Sequence, residues 1–418
     1  MSTFVPHHQP MAQLLSLYRN AFQGLSREAW LLAFVMFIKR SGAMVVPFLS
    51  VYLTESLGFS LPQVGVLMSL FGLGATVGNL LGGWLTDRWG YVKVQLLSFF
   101  LGGSWFLAMI WVQRFELLAG GLFLLSALTE SLYPANSAAV SSFSSPESVT
   151  RAFSLNRMAM NLGFSIGPAI GGLLAMVSYQ FLFLADGLTC FAAGAVFFLF
   201  FRNGPKNALP DAPPNHPSEP ENSFSNVRSS AYRDPLFLVF AFLSCCYLVA
   251  FSQLFTTMPL YWHQVHHLSK FEIGALLAFD GLLVVSLEMV IVYWLGKVQG
   301  LWKMIVVGLF LLALALLALT LAQGFLILVV SVIFWSLSEI LVLPFLSTLT
   351  AQRAGSQNLG SYMGLYTLSY SVAYIVGPLV GTNTIDQFGF DTLWWGCSAL
   401  CILAAGGLYL VVRRLQAS

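Results

Sequence analysis

The segment Asn161-Leu-Gly-Phe-Ser-Ile-Gly-Pro168-Ala-Ile-Gly171 returns 210 residues later as Ser371-Val-Ala-Tyr-Ile-Val-Gly-Pro378-Leu-Val-Gly381. Other landmarks recur with nearly the same step: Gly65 with Gly274, Gly72 with Gly281, Glu130 with Glu339, Pro134 with Pro344 and Pro47 with Pro259. A constant offset over several separate segments indicates an internal duplication. The sequence therefore predicts two halves with the same fold.

The composition of the chain is that of a membrane protein. Hydrophobic residues make up 57% of the sequence and charged residues 9%, against roughly 25% charged residues in soluble domains. Apolar stretches of about 20 residues, enough to cross a ~30 Å hydrocarbon core as a helix, recur along the whole chain. We therefore predict an all-α membrane protein with twelve transmembrane helices in two six-helix bundles, near 30–54, 63–84, 93–112, 116–138, 152–176, 180–201, 235–260, 271–295, 303–321, 326–349, 359–382 and 390–412.

The basic residues predict the orientation of these helices. Apart from Lys39 and Arg40 inside the first span, all lie in the termini and in loops on one side, except Arg114 and Lys270 on the other side. Basic residues accumulate on the cytoplasmic side of membrane proteins. We therefore expect both termini to be cytoplasmic, in the inner membrane of a bacterium.

Five sections of chain follow from this pattern: an amino-terminal segment 1–29, a first bundle 30–202, a linker 203–234, a second bundle 235–412 and a tail 413–418. The amino-terminal segment lacks the pattern of a cleaved signal peptide, and its amphipathic part from Met11 to Leu25 is expected along the inner membrane surface. The linker is rich in Pro, Asn, Ser and charge, which is typical of a flexible tether.

Other classes of function find no support in the sequence. The five cysteines lie inside apolar segments and share no metal-ligand spacing with the six histidines. The phosphate-binding Gly-x-x-x-x-Gly-Lys pattern of ATP-driven pumps does not occur. Outside the apolar spans no segment is long enough to form an enzyme domain. We therefore expect a protein without cofactor or metal, working as a monomer.

The loop between the second and third predicted helices carries the motif Gly83-Trp-Leu-Thr-Asp87-Arg88-Trp-Gly90-Tyr-Val-Lys93. Gly83 allows close approach of a neighbouring helix, and Gly90 allows a tight turn. The motif, its position and the duplicated set of twelve spans resemble the major facilitator superfamily, and the resemblance covers nearly the whole chain.

The resemblance implies that Asp87 latches onto the amino-terminal end of the eleventh helix, near Gly360 and Ser361, whose helix dipole attracts an anion. Breaking this latch would favour the state open to the cytoplasm. Tyr91 stands where the family usually has a basic residue, which weakens the expected latch. The alternative is that the loop only anchors the topology.

The duplicated segment itself carries a helix-packing motif. Gly163, Gly167 and Gly171 are spaced one turn apart and would form a smooth groove for a neighbouring helix, with a bend at Pro168. The pattern resembles the signature of the drug:proton antiporter branch of the superfamily. Its partial copy on the eleventh helix consists of Gly377, Pro378 and Gly381.

Charged residues at membrane depth mark the expected transport site, because burying them is costly unless they are functional or paired. The family resemblance places helices one, four, seven and ten around the central cavity. In the first half we predict an interaction of Arg40 with Glu130, direct or through water, whereas Lys39 needs another partner. Asp186 is expected to be a surface or capping residue.

The second half is acidic. Asp280, Glu288 and Glu339 lie in spans without any Lys or Arg. Burial favours the protonated form of a carboxyl group, so such acids can carry protons. We predict Glu339 and Asp280 as proton or cation ligands of the second bundle. For Glu288, a structural pairing with a base is the alternative.

Aromatic residues near these charges extend the predicted site: Tyr133, Trp335 and Tyr370. Aromatic walls suit hydrophobic and cationic substrates, although lipid contact and helix packing use the same residues. Together these features predict a proton-coupled transporter that works by alternating access, as an exporter of small lipophilic or cationic compounds. An importer of a small metabolite, sugar or peptide is the alternative, because fold alone does not fix the substrate.

Overall fold

The computed structural model describes residues 24–145, 148–201, 231–295, 300–321, 324–354 and 358–417. Within these ranges the chain forms twelve long helical segments, which we number α1 to α12. Their bounds are α1 Arg27–Ser56, α2 Leu61–Trp89, α3 Tyr91–Met109, α4 Phe115–Ser142, α5 Val149–Val177, α6 Gln180–Phe201, α7 235–264, α8 Lys270–Leu295, α9 Leu301–Leu321, α10 Phe325–Ala354, α11 359–388 and α12 390–417.

The last two segments join without a loop. Residues Leu359–Ala417 form one run of 59 residues, interrupted only at Gly389 with a φ of 83°. At ~1.5 Å per residue this run is about 90 Å long, several times the thickness of a hydrocarbon core. Gly389 therefore divides it into two spans, and the predicted fold of twelve apolar helices is confirmed for the described residues.

The ends of the predicted sections differ in detail from the structure. The predicted amphipathic segment and most of the linker lie outside the described residues. At the end of the linker, Ala231–Arg233 form a short 3₁₀ turn, and Asp234 caps α7 by accepting a hydrogen bond from the Phe237 N–H (3.1 Å). Helix α12 continues through the predicted tail to Ala417.

Three spans predicted as continuous helices are broken inside the bundles. These are α1, with pieces Arg27–Ser41 and Val45–Val51 and a π turn Tyr52–Ser56; α4, with pieces Phe115–Glu130 and Leu132–Ser142; and α7, with pieces Pro235–Phe251, Gln253–Thr256 and Met258–Gln264. Irregular backbone is tolerated at membrane depth only where protein or a water-filled cavity surrounds it. The breaks therefore lie next to polar side chains.

The glycines of the duplicated segment pack against two of these breaks. A Cβ at Gly163 would lie 2.7 Å from the Phe37 carbonyl oxygen, and one at Gly167 would lie 3.2 Å from that of Ala43. On α11, Gly377 and Gly381, the equivalents of Gly167 and Gly171, contact Ser252 and Gln253 at the break of α7. Small residues are thus required because the broken helix lies against the backbone.

The two bundles meet along two pairs of long helices, α2 with α11 and α5 with α8, and the second piece of α1 also contacts the last two pieces of α7. We call the end of the molecule at which the chain passes from α6 to α7 the linker end, and the opposite one the far end. Near the far end a Cβ at Gly65 would lie 3.1 Å from the Pro378 carbonyl oxygen, and one at the equivalent Gly274 would clash with that of Pro168. Backbone contact this close leaves no passage between the bundles at the far end.

Candidate functional site

A cavity of about 480 Å³ lies between the two bundles. Helices α1, α2, α4 and α5 form one wall and α7, α8, α10 and α11 the other, so the lining extends beyond the four helices that the family resemblance implies. Two exposed lining residues, Asn79 and Thr367, lie toward the linker end, and the close contacts described above lie at the far end. The molecule is therefore in a state accessible from the linker end.

The first wall contains one cation and one carboxyl group. Arg40 and Glu130 both line the cavity, but within the described residues they form no direct ion pair. The guanidinium of Arg40 lies 5.3 Å from the centre of the Tyr133 ring, and its Nε has no hydrogen-bond partner. Asn79 lies beside Glu130. Arg40 and Glu130 thus lie on the same wall without the direct interaction, and the interaction through water stays a prediction.

The second wall is acidic, as the sequence predicts. Asp280 of α8 and Glu339 of α10 both face the cavity, and neither forms an ion pair within the described residues. Asp280 is 3% exposed and accepts a hydrogen bond of 2.6 Å from the Ser336 hydroxyl. A carboxyl group held by a neutral hydroxyl can take up a proton or a cation without first breaking an ion pair.

The duplicated segment supplies lining residues that the sequence analysis missed. Asn161 and Ser371, the first residues of the two copies, both line the cavity, as do Phe164 and Tyr374 at the fourth positions. The glycines between them face the breaks instead. The duplication could have predicted these lining residues. Residues at equivalent positions of the two halves are related by the pseudo-twofold axis and therefore face the same central space.

Two predicted aromatic residues lie behind the cavity wall. Trp335 is 1% exposed and packs against Phe251, with ring centres 6.1 Å apart. Tyr133 supports Arg40 from behind. Tyr370 does line the cavity, and its hydroxyl lies 3.2 Å from that of Tyr366. Phe251 and Phe255 provide the aromatic surface of α7.

Three charged residues lie outside the cavity lining: Lys39 and Glu288, which were predicted for the site, and Asp186, which was predicted as a surface or capping residue. Glu288 forms an ion pair with Arg157 of α5 and is absent from the cavity lining. Lys39 is 8% exposed and points into the first bundle, where it lies within hydrogen-bonding reach of the Cys190 thiol. Asp186 is 2% exposed, so it is no surface residue; it caps a helix, namely the second piece of α1.

The motif between α2 and α3 forms a turn at the linker end. Gly90 has a φ of 79°, which favours glycine, and Arg88 lies over the Trp84 ring at 4.2 Å. A Cβ at Gly83 would contact Pro134 of α4 at 3.9 Å. Asp87 and Lys93 are exposed, and Asp87 forms no hydrogen bond or ion pair within the described residues. The latch thus remains a prediction for another state.

A charged cluster joins the bundles at the far end. Glu55 of α1 accepts a hydrogen bond from the Tyr179 hydroxyl (2.7 Å) and forms an ion pair with Lys270 of α8 (3.3 Å). His263 Nε2 lies 3.5 Å from the same carboxylate, and Lys270 Nζ lies 4.3 Å from the Tyr179 ring centre. The cluster has to separate if the far end opens.

Among the residues that the structure describes, no group of three or more His, Cys, Asp or Glu is placed to hold a metal ion. A second depression, of about 510 Å³ between α8, α9 and α10, is lined by aliphatic residues alone. It fits acyl chains rather than a polar substrate. The central cavity is therefore the candidate site.

The family model described as Major Facilitator Superfamily matches residues 29–373 and 302–418 of the chain. Among curated relatives, the uncharacterised MFS-type transporter YttB of Bacillus subtilis (strain 168) is 24% identical, with 94% of this chain and 97% of that protein covered. The Na(+), Li(+), K(+)/H(+) antiporter of Planococcus maritimus is also 24% identical, with 91% and 94% covered.

Solved structures of transporters share the fold. The peptide transporter POT in complex with sulfate has a TM-score of 0.77 at 18% identity, covering 94% of this chain and 96% of that one. The nucleoside transporter NupG has a TM-score of 0.72 at 13% identity, covering 93% and 99%. With the duplicated bundles and the central cavity, these matches establish that the chain is a membrane transporter, not an enzyme, and belongs to the major facilitator superfamily.

Proposed function

We propose that this transporter is proton-coupled and exports small lipophilic or cationic compounds. The observation that carries the proposal is the pair of acids on the second wall, Asp280 and Glu339, which face the cavity without an ion pair; Arg157, paired with Glu288, is the cation that acts on Glu339 from a distance. Desolvation favours the protonated form of such groups, and an approaching cation favours the charged form. Protons and a cationic substrate would therefore compete for the same carboxyl groups.

The coupling then follows from alternating access. Closing the cavity around the second wall costs less desolvation free energy when its acids are protonated and neutral than when they are charged. Proton binding therefore changes the relative free energies of the open and closed states. The state described here is accessible from the linker end. With the orientation expected from the basic residues, this end faces the cytoplasm, where an exporter takes up its substrate. We also propose the bacterial inner membrane and a monomer as the working form.

The cavity lining supports lipophilic cations as the substrate class. Phe71, Phe164, Phe251 and Phe255 contribute aromatic surface, and the carboxyl groups supply negative charge within the same volume. Cations bind favourably over aromatic rings. A cavity of about 480 Å³ accommodates a small organic molecule.

The test is a flux assay in proteoliposomes with tetraphenylphosphonium as the probe. An imposed pH gradient should drive the probe against its concentration gradient, and collapse of the gradient by a protonophore should stop the flux. Vesicles without protein serve as the control. Flux that follows only the concentration gradient would refute proton coupling.

A proton-coupled importer is the second candidate, favoured by one observation. Arg40 lines the cavity with an unpaired Nε, which could bind an anionic group of a metabolite. The solved relatives POT and NupG are named as peptide and nucleoside transporters. The same vesicles distinguish the candidates, because an importer would take up anionic or zwitterionic solutes and leave tetraphenylphosphonium outside.

A further inference from the structure

The break in α1 is held by an acid that the proposed function does not use. Between Ser41 and Val45 the helix is interrupted, and the second piece begins without a capping side chain of its own. Asp186 of α6 takes that place: its Oδ1 accepts from the Met44 N–H (2.9 Å) and its Oδ2 from the Val45 N–H (3.3 Å). Buried N–H groups left without a partner are costly at membrane depth.

A buried cation faces the same acid. Lys39 lies in the last turn before the break, on the same side of α1 as Asp186; the two form no direct ion pair among the described residues and interact through space. The Cys190 thiol, the Tyr133 hydroxyl and the Phe106 ring complete its surroundings. Two opposite charges, each more than nine-tenths buried, offset part of each other's desolvation. Helix α6 therefore contacts α1 on both sides of the break.

This arrangement fixes the direction of the next residue. Arg40 follows Lys39 directly, and adjacent residues of a helix point about 100° apart. With Lys39 directed into the first bundle, Arg40 reaches the central cavity and the Tyr133 ring. On the other side, a Cβ at Gly163 would lie 2.8 Å from the Arg40 Cβ, so α5 packs closely against α1 at this position.

We propose that Asp186 and Lys39 form a positioning pair that holds the break of α1 and thereby sets the place of Arg40 in the cavity. The pair lies outside the cavity lining and acts through the backbone of residues 42–45. The inference rests on the proposed function only in treating Arg40 as a functional group. In Asp186→Asn the amide N–H₂ would face one of the two backbone donors, so the break should close toward regular helix and Arg40 should turn away from the cavity.

The first test measures whether the side chain at position 40 is accessible in the cavity, and it needs no transport substrate. In a protein with Cys245, Cys246, Cys397 and Cys401 replaced by Ser, a cysteine is introduced by Arg40→Cys, and its reaction with a cationic methanethiosulfonate reagent is timed in detergent. The protein carrying Cys190 alone gives the background rate. Asp186→Asn should slow labelling at position 40 by about fivefold or more, and Lys39→Met should slow it less. Ser398→Ala, which removes a buried polar side chain from the second bundle, should leave the rate unchanged.

Labelling within twofold of the parent rate in a monodisperse Asp186→Asn protein would overturn the proposal. Should that variant fail to fold, Lys39→Met decides in its place: an unchanged rate there overturns the pair, and a slowed rate supports it. Size-exclusion chromatography establishes which case applies.

The second test uses the native Arg40 and the pH profile of tetraphenylphosphonium flux. Arg40 shares the cavity with Asp280 and Glu339, the proton carriers of the proposed function, so its displacement removes a positive charge from the cavity that holds these acids. Asp186→Asn should therefore move the midpoint of the profile upward by about 0.5 pH units or more, whereas Ser398→Ala should change only the amplitude. An unmoved midpoint would count against the pair. A wild-type protein without any flux of the probe would refute the proposed function, while the labelling result would still decide the pair.

Discussion

At the scale of single residues, the two walls of the cavity carry different charged groups. Arg40 and Glu130 belong to the first bundle, and Asp280 and Glu339 to the second. Because the acids of the second wall form no ion pair within the described residues, their state of charge depends on protons, on substrate and on Arg157, which acts on Glu339 from a distance. Removing the charge of one of them should therefore affect coupling more than folding.

Glu339→Gln and Asp280→Asn should each abolish tetraphenylphosphonium flux driven by a pH gradient, because the amide cannot exchange a proton. Downhill exchange of the probe should persist at a reduced rate. Glu116→Gln, which changes an exposed acid near the far end, is the matched control and should retain coupled flux. Gradient-driven flux at the wild-type level in both site variants would contradict the assignment.

Asp234 offers a pH-dependent test of stability outside the membrane spans. Burial raises its pKa, but the hydrogen bonds from Arg353 Nε (2.9 Å), the Phe237 N–H (3.1 Å) and the Tyr362 hydroxyl (3.0 Å) outweigh that effect, so the pKa lies below its usual value. A lowered pKa in the folded state stabilises the protein above the ordinary pKa of Asp, and this contribution disappears as the pH falls through the lowered value.

Asp234→Asn should therefore lower the free energy of unfolding by about 1 to 3 kcal/mol at neutral pH. The difference from wild type should shrink as the pH falls below the ordinary pKa of Asp. Thermal unfolding in detergent, followed by tryptophan fluorescence over a pH series, measures both values. Asp386→Asn, at an exposed position on α11, should show no such difference, and a gap that stayed constant down to acidic pH would contradict the pairing.

At the scale of elements, the glycines between the bundles act as contact points. Gly274 of α8 faces the Pro168 carbonyl, and Gly72 of α2 faces that of Tyr374. Because a carbonyl oxygen of a helix backbone cannot move aside as a flexible side chain can, a larger residue has to push the helices apart.

Gly274→Ala should shift the protein toward the state open at the far end. Spin labels at positions 114 and 386, one on each bundle near that end, should show a longer mean distance by pulsed electron resonance than in the parent. Gly364→Ala, where a Cβ would meet open space, is the control. An unchanged distance distribution in Gly274→Ala would show that the far-end contact tolerates a side chain.

The sequence predicted the elements better than their interruptions. The twelve spans and the packing motif follow from hydropathy and spacing, because lipid requires long apolar helices. The breaks in α1, α4 and α7 were missed although Pro47, Pro134 and Pro259 follow them closely, and each proline leaves the carbonyl four residues earlier without its helix hydrogen bond. Asp186 was predicted as a surface or capping residue; it is buried and acts as a cap, and its partners are backbone N–H groups that are available only because α1 is broken.

The site was predicted in part. Arg40, Glu130, Asp280, Glu339 and Tyr370 were found because charge and aromatic rings at membrane depth are rare or conspicuous. Glu288 and Lys39 share that chemistry but face helices instead of the cavity, and a sequence does not reveal the rotation of a helix. Asn161 and Ser371 were missed because small polar residues are common in transmembrane helices.

At the scale of the whole molecule, the two bundles are closed at the far end and the cavity is reached from the linker end. Close contacts of α2 with α11 and of α5 with α8 combine there with the cluster around Glu55. The duplicated sequence accounts for this arrangement, since equivalent glycines of the two halves form equivalent contacts across the interface. Opening the far end requires both contacts and the cluster to separate.

Glu55→Gln should weaken this closure, because the neutral amide loses the ion pair with Lys270 and the attraction to His263. With the spin labels described above, the population with a long far-end distance should rise, by up to about fivefold for a surface-accessible pair worth ~1 kcal/mol. Salt should produce the same change in the wild type. A distance distribution insensitive to both would show that the cluster does not contribute to closure.

Competition of protons and a cationic substrate for Asp280 and Glu339 is tested most directly by the protons released when tetraphenylphosphonium binds to the purified protein. The release is followed with a pH indicator in weakly buffered detergent solution. Binding of the probe should displace protons from the wild-type protein. Asp280→Asn combined with Glu339→Gln should abolish this release. Probe binding without proton release in the wild type, or equal release in the double variant, would contradict this competition.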